Sequence, residues 1–170
     1  MNEGASHPCG GLGAGSASAE TGNTGQAGGG SRVRVLLVDD DPGVRSVFGA
    51  GLRQLQLEVD MAADGDAAWE ALCTKPYDLL ITDHLMPRLT GLELLRRLRA
   101  VRVDLPCILI SGDLPEADED LAACVQPGCT LEKPITLALF LTTVKALLAR
   151  HPAGASAFPP DRAELEGYRS

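Results

Sequence analysis

Short apolar runs alternate with stretches of helical periodicity along most of this chain, and that alternation constrains its fold most strongly. The runs have the length and the β-branched or leucine content of buried strands. Strands are predicted at 33–38, 57–62, 79–82, 105–110 and 129–132. Helices are predicted after Asp41, Asp64 and Thr90, and over 115–125 and 136–150. Strands that alternate with helices of this length predict βαβ units and a parallel sheet.

Because βαβ crossovers are right-handed, helices should cover both faces of the sheet. Five βα units in about 120 residues predict an α/β protein with a single flavodoxin-like (βα)5 doubly wound parallel sheet of strand order 2-1-3-4-5. In that order the carboxyl ends of strands 1 and 3 lie side by side. Asp39 and Asp40, which end strand 1, should therefore face Asp83, which ends strand 3.

The predicted elements fall between residues 32 and 150, and the flanks differ from them in composition. Residues 1–31 are mostly Gly, Ala, Ser and Thr, which cannot bury enough apolar surface to offset the entropy of ordering. This stretch is predicted to be a disordered tail. Residues 151–170 are rich in Pro, Ala and charge and are predicted to be a flexible tail.

Composition narrows the class of protein. A net charge of −8, a pI near 4.8 and 4% aromatic residues argue against non-specific nucleic-acid binding. No apolar run approaches the roughly 18–20 residues of a membrane span, and no secretory signal is recognised. Five scattered cysteines, an odd number, indicate reduced thiols. We therefore expect a soluble cytoplasmic protein with neither nucleic-acid nor membrane partners.

The acids at the strand ends indicate chemistry with phosphate and metal. Three carboxylates within about 5 Å repel each other by roughly 3 kcal/mol per pair at an effective dielectric near 20. Such a cluster retains protons or binds a hard cation, and an open site of this kind suits Mg²⁺. Ser111 at the end of strand 4 adds a hydroxyl, and Lys133 at the end of strand 5 adds the only cation expected to reach the site. With Asp83 as nucleophile, these groups suit phosphoryl transfer.

Four segments at the strand ends carry a family resemblance. They are 35–42 (VLLVDDDP), 81–87 (ITDHLMP) with Gly91, 111–112 (SG) and 132–134 (EKP). In order and spacing they resemble the receiver domain of two-component response regulators across about residues 32–150. Each motif alone is weakly specific, but four of them in this order are strongly specific.

The resemblance implies that Asp83 is the phosphoacceptor, charged from a phosphohistidine on a histidine kinase or a histidine phosphotransfer protein. Asp83 would also bind Mg²⁺. Asp40 would bind the ion directly, Asp39 would bind it through water, and the backbone carbonyl of Leu85 would complete the protein ligands.

The resemblance also assigns roles at the ends of strands 4 and 5. Ser111 would turn toward the phosphoryl group, Lys133 would pair with it, and the bond before Pro134 would be cis. One departure is Thr130, at a position where the family often has an aromatic switch residue. Another is the segment 126–129, which replaces the usual Gly-Ala turn. Phosphorylation is therefore expected, whereas a readout through a buried aromatic ring is not.

The leading functional interpretation is a receiver that switches its affinity for an unknown downstream protein when phosphorylated. It would be no enzyme beyond Mg²⁺-dependent self-phosphorylation and slow autodephosphorylation. It would be a single-domain regulator, a phosphorelay shuttle or a receiver from a larger assembly. One alternative is a pseudo-receiver that binds partners without phosphorylation. An aspartyl-phosphate phosphatase is disfavoured, because it needs a second acid at the position of Leu85.

Other polar residues receive structural interpretations. Asp41 is predicted to be a helix cap, and His84 is predicted to be a variable loop residue. Cys124 and Cys129 are predicted to pack as small core residues. Arg96, Arg97 and Arg99 are expected to point outward on a solvated helix face, and Trp69 to pack or to lie at the surface.

Overall fold

A computed structural model describes residues 32–112 and 119–151 of the chain. The strands are β1 (Arg34–Val38), β2 (Glu58–Ala62), β3 (Leu79–Asp83), β4 (Cys107–Ser111) and β5 (Gly128–Glu132). The helices are α1 (Pro42–Gln54), α2 (Gly65–Thr74), α3 (Gly91–Ala100), α4 (Glu119–Val125) and α5 (Leu137–Arg150). The predicted tails, and the first part of the helix predicted over 115–125, lie outside the described residues.

The five strands form one parallel sheet in the order β2-β1-β3-β4-β5. Val38 lies beside Thr82 in the register of β1 and β3, so that Asp39 and Asp83 follow at adjacent strand ends. Each strand except the last leads through a helix to the next, as a doubly wound sheet requires. The predicted α/β fold class and strand order are confirmed.

The sheet separates two apolar layers. Leu36 and Leu80 point into one cluster with α2 and α3, whereas Leu37 and Ile81 point into the other with α1 and α5. The central strands are buried on both faces, which explains why they read as continuous apolar runs. Each fully buried leucine of this kind contributes about 1.5–3 kcal/mol to folding.

Side-chain caps fix where four of the described helices begin, namely α1, α2, α3 and α5. Asp41 accepts hydrogen bonds from the backbone N–H groups of Gly43 and Val44 at the start of α1, as predicted. Thr90 and Glu93 form a capping box at the start of α3. These caps satisfy N–H groups that a helix cannot pair internally, and each is worth about 1 kcal/mol.

The prediction for Arg99 was wrong. Its guanidinium is partly buried and donates to the backbone carbonyls of Cys124 (3.0 Å), Leu105 (3.0 Å) and Val103. The carbonyl of Cys124 belongs to the last turn of α4, where no helical N–H group is available. The side chain therefore ties α3 to the loop before β4 and to the end of α4, instead of entering solvent.

Other core predictions have clear outcomes. Trp69 is 3% exposed and packs in the cluster beneath α2 and α3. Cys124 packs against that cluster and Cys129 against the opposite one, so the two thiols are separate packing groups.

The bond before Pro134 is cis as predicted, and a second cis bond precedes Pro127. Within the described ranges, no helix is both long and apolar enough to cross a membrane.

Candidate functional site

Backbone pairing continues past the strand ends and aligns the polar residues there. The N–H of His84 donates to the carbonyl of Ile110 (2.7 Å), and that of Lys133 donates to the carbonyl of Ser111 (2.8 Å). On the other side, the N–H of Asp39 donates to the carbonyl of Ala62 (3.3 Å). These bonds bring the ends of the five strands to one edge of the sheet, where the predicted site residues lie.

An ion pair between an exposed lysine and a buried aspartate lies at the centre of this edge. Lys133 Nζ is 2.8 Å from Asp83 Oδ1, and only 6% of the Asp83 side chain is exposed against 41% of the Lys133 side chain. Burying a carboxylate is costly unless a charge or a hydrogen bond compensates it. Lys133 compensates Asp83 and remains half-open to solvent, where an incoming anion can meet it.

Asp39 lies beside this pair and is almost fully buried. Burial raises the pKa of its carboxyl group above the ordinary value, and the charges of Asp83 and Asp40 raise it further. A hydrogen bond from the N–H of Asp41 (2.8 Å) and the charge of Lys133 lower the pKa in part. The negative charge at this edge is therefore only partly compensated, and a cation there would be favoured.

The remaining predicted ligands are more open. Asp40 is exposed, and the Leu85 side chain is exposed in the loop of residues 84–90 between β3 and α3, here called the β3–α3 loop. Ser111, which is predicted to face the phosphoryl group and not the metal, is by contrast buried at the end of β4, with 1% exposed. Over the described ranges, no three His, Cys, Asp or Glu side chains are grouped so that they could hold a metal ion by themselves. The donor set nevertheless fits Mg²⁺, which takes few carboxylates and keeps several waters.

Gly91 lets α3 begin directly against the end of β3. Its N–H donates to the carbonyl of His84 (3.0 Å). A Cβ atom at this position would overlap the backbone carbonyl of Asp83 and would lie 3.0 Å from Thr82 Oγ1. The glycine of the sequence motif is therefore required by close packing beneath Asp83.

Two arginines near the site were missed by sequence reasoning. Arg45 of α1 donates to the backbone carbonyl of Asp39, so the expectation that Lys133 alone would bring a cation to this edge was wrong. Its place one turn into the helix after Asp39 was a usable signal. Arg88 pairs with Asp64 across 24 residues of sequence, which no local pattern indicates.

His84 is partly buried, and its Nδ1 has no hydrogen-bond partner within the described residues. Its placement in the loop after β3 agrees with the prediction. Asp113, past which water is expected to reach an acyl phosphate on Asp83, lies outside the described residues.

Comparisons with known protein sequences all match this chain to the same family. Residues 35–145 match the family model described as "Response regulator receiver domain". Response regulator MprA of Mycobacterium ulcerans is 36% identical over 120 residues, which are 69% of this chain and 51% of that protein. Regulatory protein VanRB of Enterococcus faecalis is 32% identical over 133 residues, 78% of this chain and 60% of that protein. The chain thus spans a little over half the length of these curated relatives.

Solved structures give the same result. A Francisella response regulator receiver domain aligns with a TM-score of 0.61 and 26% identity, covering 70% of this chain and 98% of that chain. Response regulator TrrA of Thermotoga maritima, in complex with Mg²⁺–BeF, aligns with a TM-score of 0.61 and 28% identity. That alignment covers 68% of this chain and 99% of TrrA.

Proposed function

The chain belongs to the response regulator receiver domain family, and from that membership we propose that Asp83 accepts a phosphoryl group from a phosphohistidine on a partner protein. The observation that carries the proposal is the buried Asp83 carboxylate paired with Lys133 at 2.8 Å beside Asp39. A carboxylate of this kind is a nucleophile, and its lysine partner compensates negative charge on a phosphoryl oxygen.

Each residue has a defined part in the transfer. An Asp83 oxygen attacks phosphorus, the phosphorus–nitrogen bond to histidine breaks, and the electron pair of that bond stays on the imidazole. Lys133 pairs with the transferred group, and the Ser111 hydroxyl turns toward it. The same residues hold the acyl phosphate until water hydrolyses it slowly.

The carboxylates of Asp39, Asp40 and Asp83 and the backbone carbonyl of Leu85 would hold Mg²⁺, with Asp40 as a direct ligand and Asp39 acting through water. Bound there, the ion supplies charge neutralisation for the transferred group. The charges of Asp83 and Asp40 beside the buried Asp39 carboxyl group support this assignment, because a divalent cation would relieve their mutual repulsion.

The phosphorylated chain would act by shifting a population. Phosphorylation would order the loops around Asp83 and Ser111 and change affinity on the surface that runs from β4 to α5. The phosphodonor would be a histidine kinase or a histidine phosphotransfer protein, and the target a downstream protein, both in the cytoplasm. The receiver would occupy residues 32–150 between two tails.

Intact-protein mass spectrometry after incubation with acetyl phosphate, with and without Mg²⁺, tests the proposal. The wild-type chain should gain one phosphoryl group when Mg²⁺ is present, and the Asp83→Asn variant should gain none. Asp104→Asn removes an exposed acid in the loop before β4 and should behave as wild type. A wild-type chain that binds Mg²⁺ but gains no mass would instead be a pseudo-receiver. Equal gain by Asp83→Asn would reject Asp83 as acceptor.

A further inference from the structure

The β3–α3 loop is tied to the start of α2 by a cross-chain ion pair. Arg88, at the centre of the loop, places Nη2 against Asp64 Oδ2 and Nε 3.7 Å from Asp66 Oδ2. The Asp64 side chain is only 12% exposed, whereas that of Arg88 is 63% exposed. A cation therefore reaches in from solvent to meet a nearly buried carboxylate.

Asp64 has two roles, one for each carboxylate oxygen. Its Oδ1 accepts a hydrogen bond from the N–H of Ala67 (2.9 Å) and caps α2, which leaves Oδ2 for Arg88. Next to it, Gly65 lies in backbone contact with the loop, since an added Cβ would be 2.5 Å from the carbonyl oxygen of Leu89. The start of α2 thus contacts the loop through both backbone and charge.

The backbone of Arg88 has an unusual conformation that its surroundings must hold in place. Its φ is +71°, in the left-handed region that residues other than glycine rarely adopt. Residues in such conformations persist when the surrounding structure holds them there. Met86 and Leu89 are buried on either side of Arg88, and the ion pair holds the exposed side of the loop.

We propose that Arg88 is a positioning residue, which holds the β3–α3 loop through Asp64 so that the Leu85 carbonyl stays at the edge where Asp39, Asp40 and Asp83 lie. The inference rests on the proposed function and deepens it. The pair couples the start of α2 to the Mg²⁺ affinity of the site, while the phosphoryl-transfer groups keep their places without it. Loss of the pair weakens Mg²⁺ binding and leaves the phosphorylation rate at saturating Mg²⁺ unchanged.

Calorimetric titration of the full chain with Mg²⁺ tests the coupling, alongside phosphorylation rates from acetyl phosphate over a range of Mg²⁺ concentrations. Arg88→Ala should raise the Mg²⁺ dissociation constant about tenfold, the lower end for a residue that orients a metal ligand. The half-saturating Mg²⁺ concentration for phosphorylation should rise by the same factor, with the maximal rate preserved. Arg88→Lys keeps a cation and should recover most of the affinity.

A second variant distinguishes the pair from its surroundings. Asp64→Asn keeps the cap of α2, because asparagine is as good a cap as aspartate, but removes the charge that faces Arg88. The double variant Arg88→Ala/Asp64→Asn should bind Mg²⁺ no more weakly than the weaker single variant, as expected for residues that act through each other. Fully additive losses would overturn the proposal.

Arg102→Ala is the matched control. Arg102 is also an exposed arginine with positive φ (56°), but it lies in the loop after α3. Its variant should bind Mg²⁺ as wild type does. If Arg88→Ala lowers the melting temperature but also binds Mg²⁺ as wild type does, Arg88 is only a structural residue and the proposal fails. A wild-type chain that binds Mg²⁺ but accepts no phosphoryl group would contradict the proposed function, while the titrations would still decide the role of Arg88.

Discussion

Charged groups are used differently in two regions of the molecule. At the acid rim, defined as Asp39, Asp40, Asp83 and Lys133, they face one another at the carboxyl ends of β1, β3 and β5. The second region is the α4–β5 edge, defined as residues 119–132 with the side chain of Arg99, where the charged group stabilises the fold. The guanidinium of Arg99 binds backbone carbonyls there, including that of Cys124.

The difference concerns what remains available to a ligand. At the acid rim the side chain of Lys133 is 41% exposed and the carboxyl groups of Asp39 and Asp83 lie close together, which supports the proposal that a phosphoryl group and a cation bind there. At the α4–β5 edge, Cys107 Sγ donates to the carbonyl of Val125 (2.8 Å), which leaves the end of α4 firmly bonded. Acceptance of a phosphoryl group and its readout should therefore be separable by mutation.

Thr130 lies in the α4–β5 edge and is a further difference between this region and the acid rim. It lies half-buried in β5, beside Leu109 of β4, and supplies no aromatic ring at this position. The end of α4 is held by hydrogen bonds to backbone carbonyls, as described for Arg99 and Cys107. Variants at the acid rim should change phosphorylation, and variants at the α4–β5 edge should change stability without changing phosphorylation.

The largest effect is expected at Lys133. Lys133→Met removes the cation that pairs with Asp83 and that would meet the phosphoryl oxygens, so phosphorylation by acetyl phosphate should slow about a hundredfold. The initial rate of mass gain at saturating Mg²⁺ measures this. Lys145→Met, at an exposed lysine of α5, should keep the wild-type rate. A Lys133→Met variant that reacts as fast as wild type would show that the charge of Lys133 does not contribute to phosphorylation, and would contradict the difference described between the two regions.

The same Gly→Ala substitution can be made in the acid rim and at the α4–β5 edge, so that its effects in the two regions can be compared. A Cβ atom at Gly91 would overlap the carbonyl of Asp83 in the acid rim, and one at Gly128 would overlap the carbonyl of Cys107 at the α4–β5 edge. Each Gly→Ala change should lower the free energy of unfolding by about 1–3 kcal/mol, as overpacking does. Urea denaturation measures this.

Only Gly91→Ala should also slow phosphorylation, because only that substitution displaces the backbone of Asp83. Gly112→Ala is the control, since an added Cβ there has no neighbour within 4 Å among the described residues. If Gly128→Ala slows phosphorylation as much as Gly91→Ala does in chains that remain folded, the two regions are not separable.

The smallest effect lies on β2, outside both regions. Asp60 Oδ2 accepts hydrogen bonds from Lys75 Nζ (2.9 Å) and the Tyr77 hydroxyl (2.8 Å), and the first of these does most to lower the pKa of Asp60. A carboxyl group whose pKa is lowered by folding stabilises the protein above its unfolded pKa. That stabilisation is lost as the pH falls through the lower folded value.

Asp60→Asn should therefore lower the free energy of unfolding at neutral pH by at most about 1 kcal/mol, because the group is partly exposed and screened. The difference from wild type should shrink in acid, as the pH falls from the ordinary pKa of 3.8 through the lower folded value. Thermal unfolding followed across this range measures it. A difference that grows toward low pH would contradict the assignment, and phosphorylation should not change.

Local patterns predicted the parts of the structure that local physics determines. The apolar runs predicted the strands, because β1, β3 and β4 are buried on both faces. Asp41 followed by Pro42 predicted the start of α1. The strand order then brought Asp39 and Asp83 together. These inferences needed only periodicity, capping and chain topology.

Long side chains were the main source of error. Arg99, Arg45 and Arg88 each bind a group whose position depends on how separate elements pack. The reach of an arginine allows several partners, and sequence spacing does not choose among them. The uneven burial of Asp39 and Asp40 likewise follows from the tertiary structure.

Borohydride trapping of the phosphorylated chain tests the central claim most directly. Hydride reduces an aspartyl phosphate to homoserine, which peptide mass spectrometry then locates in the sequence. After incubation with acetyl phosphate and Mg²⁺, homoserine should replace Asp83 and no other aspartate. Homoserine at Asp39 or Asp40, or a phosphoryl group that borohydride does not convert, would contradict the assignment of Asp83 as the acceptor.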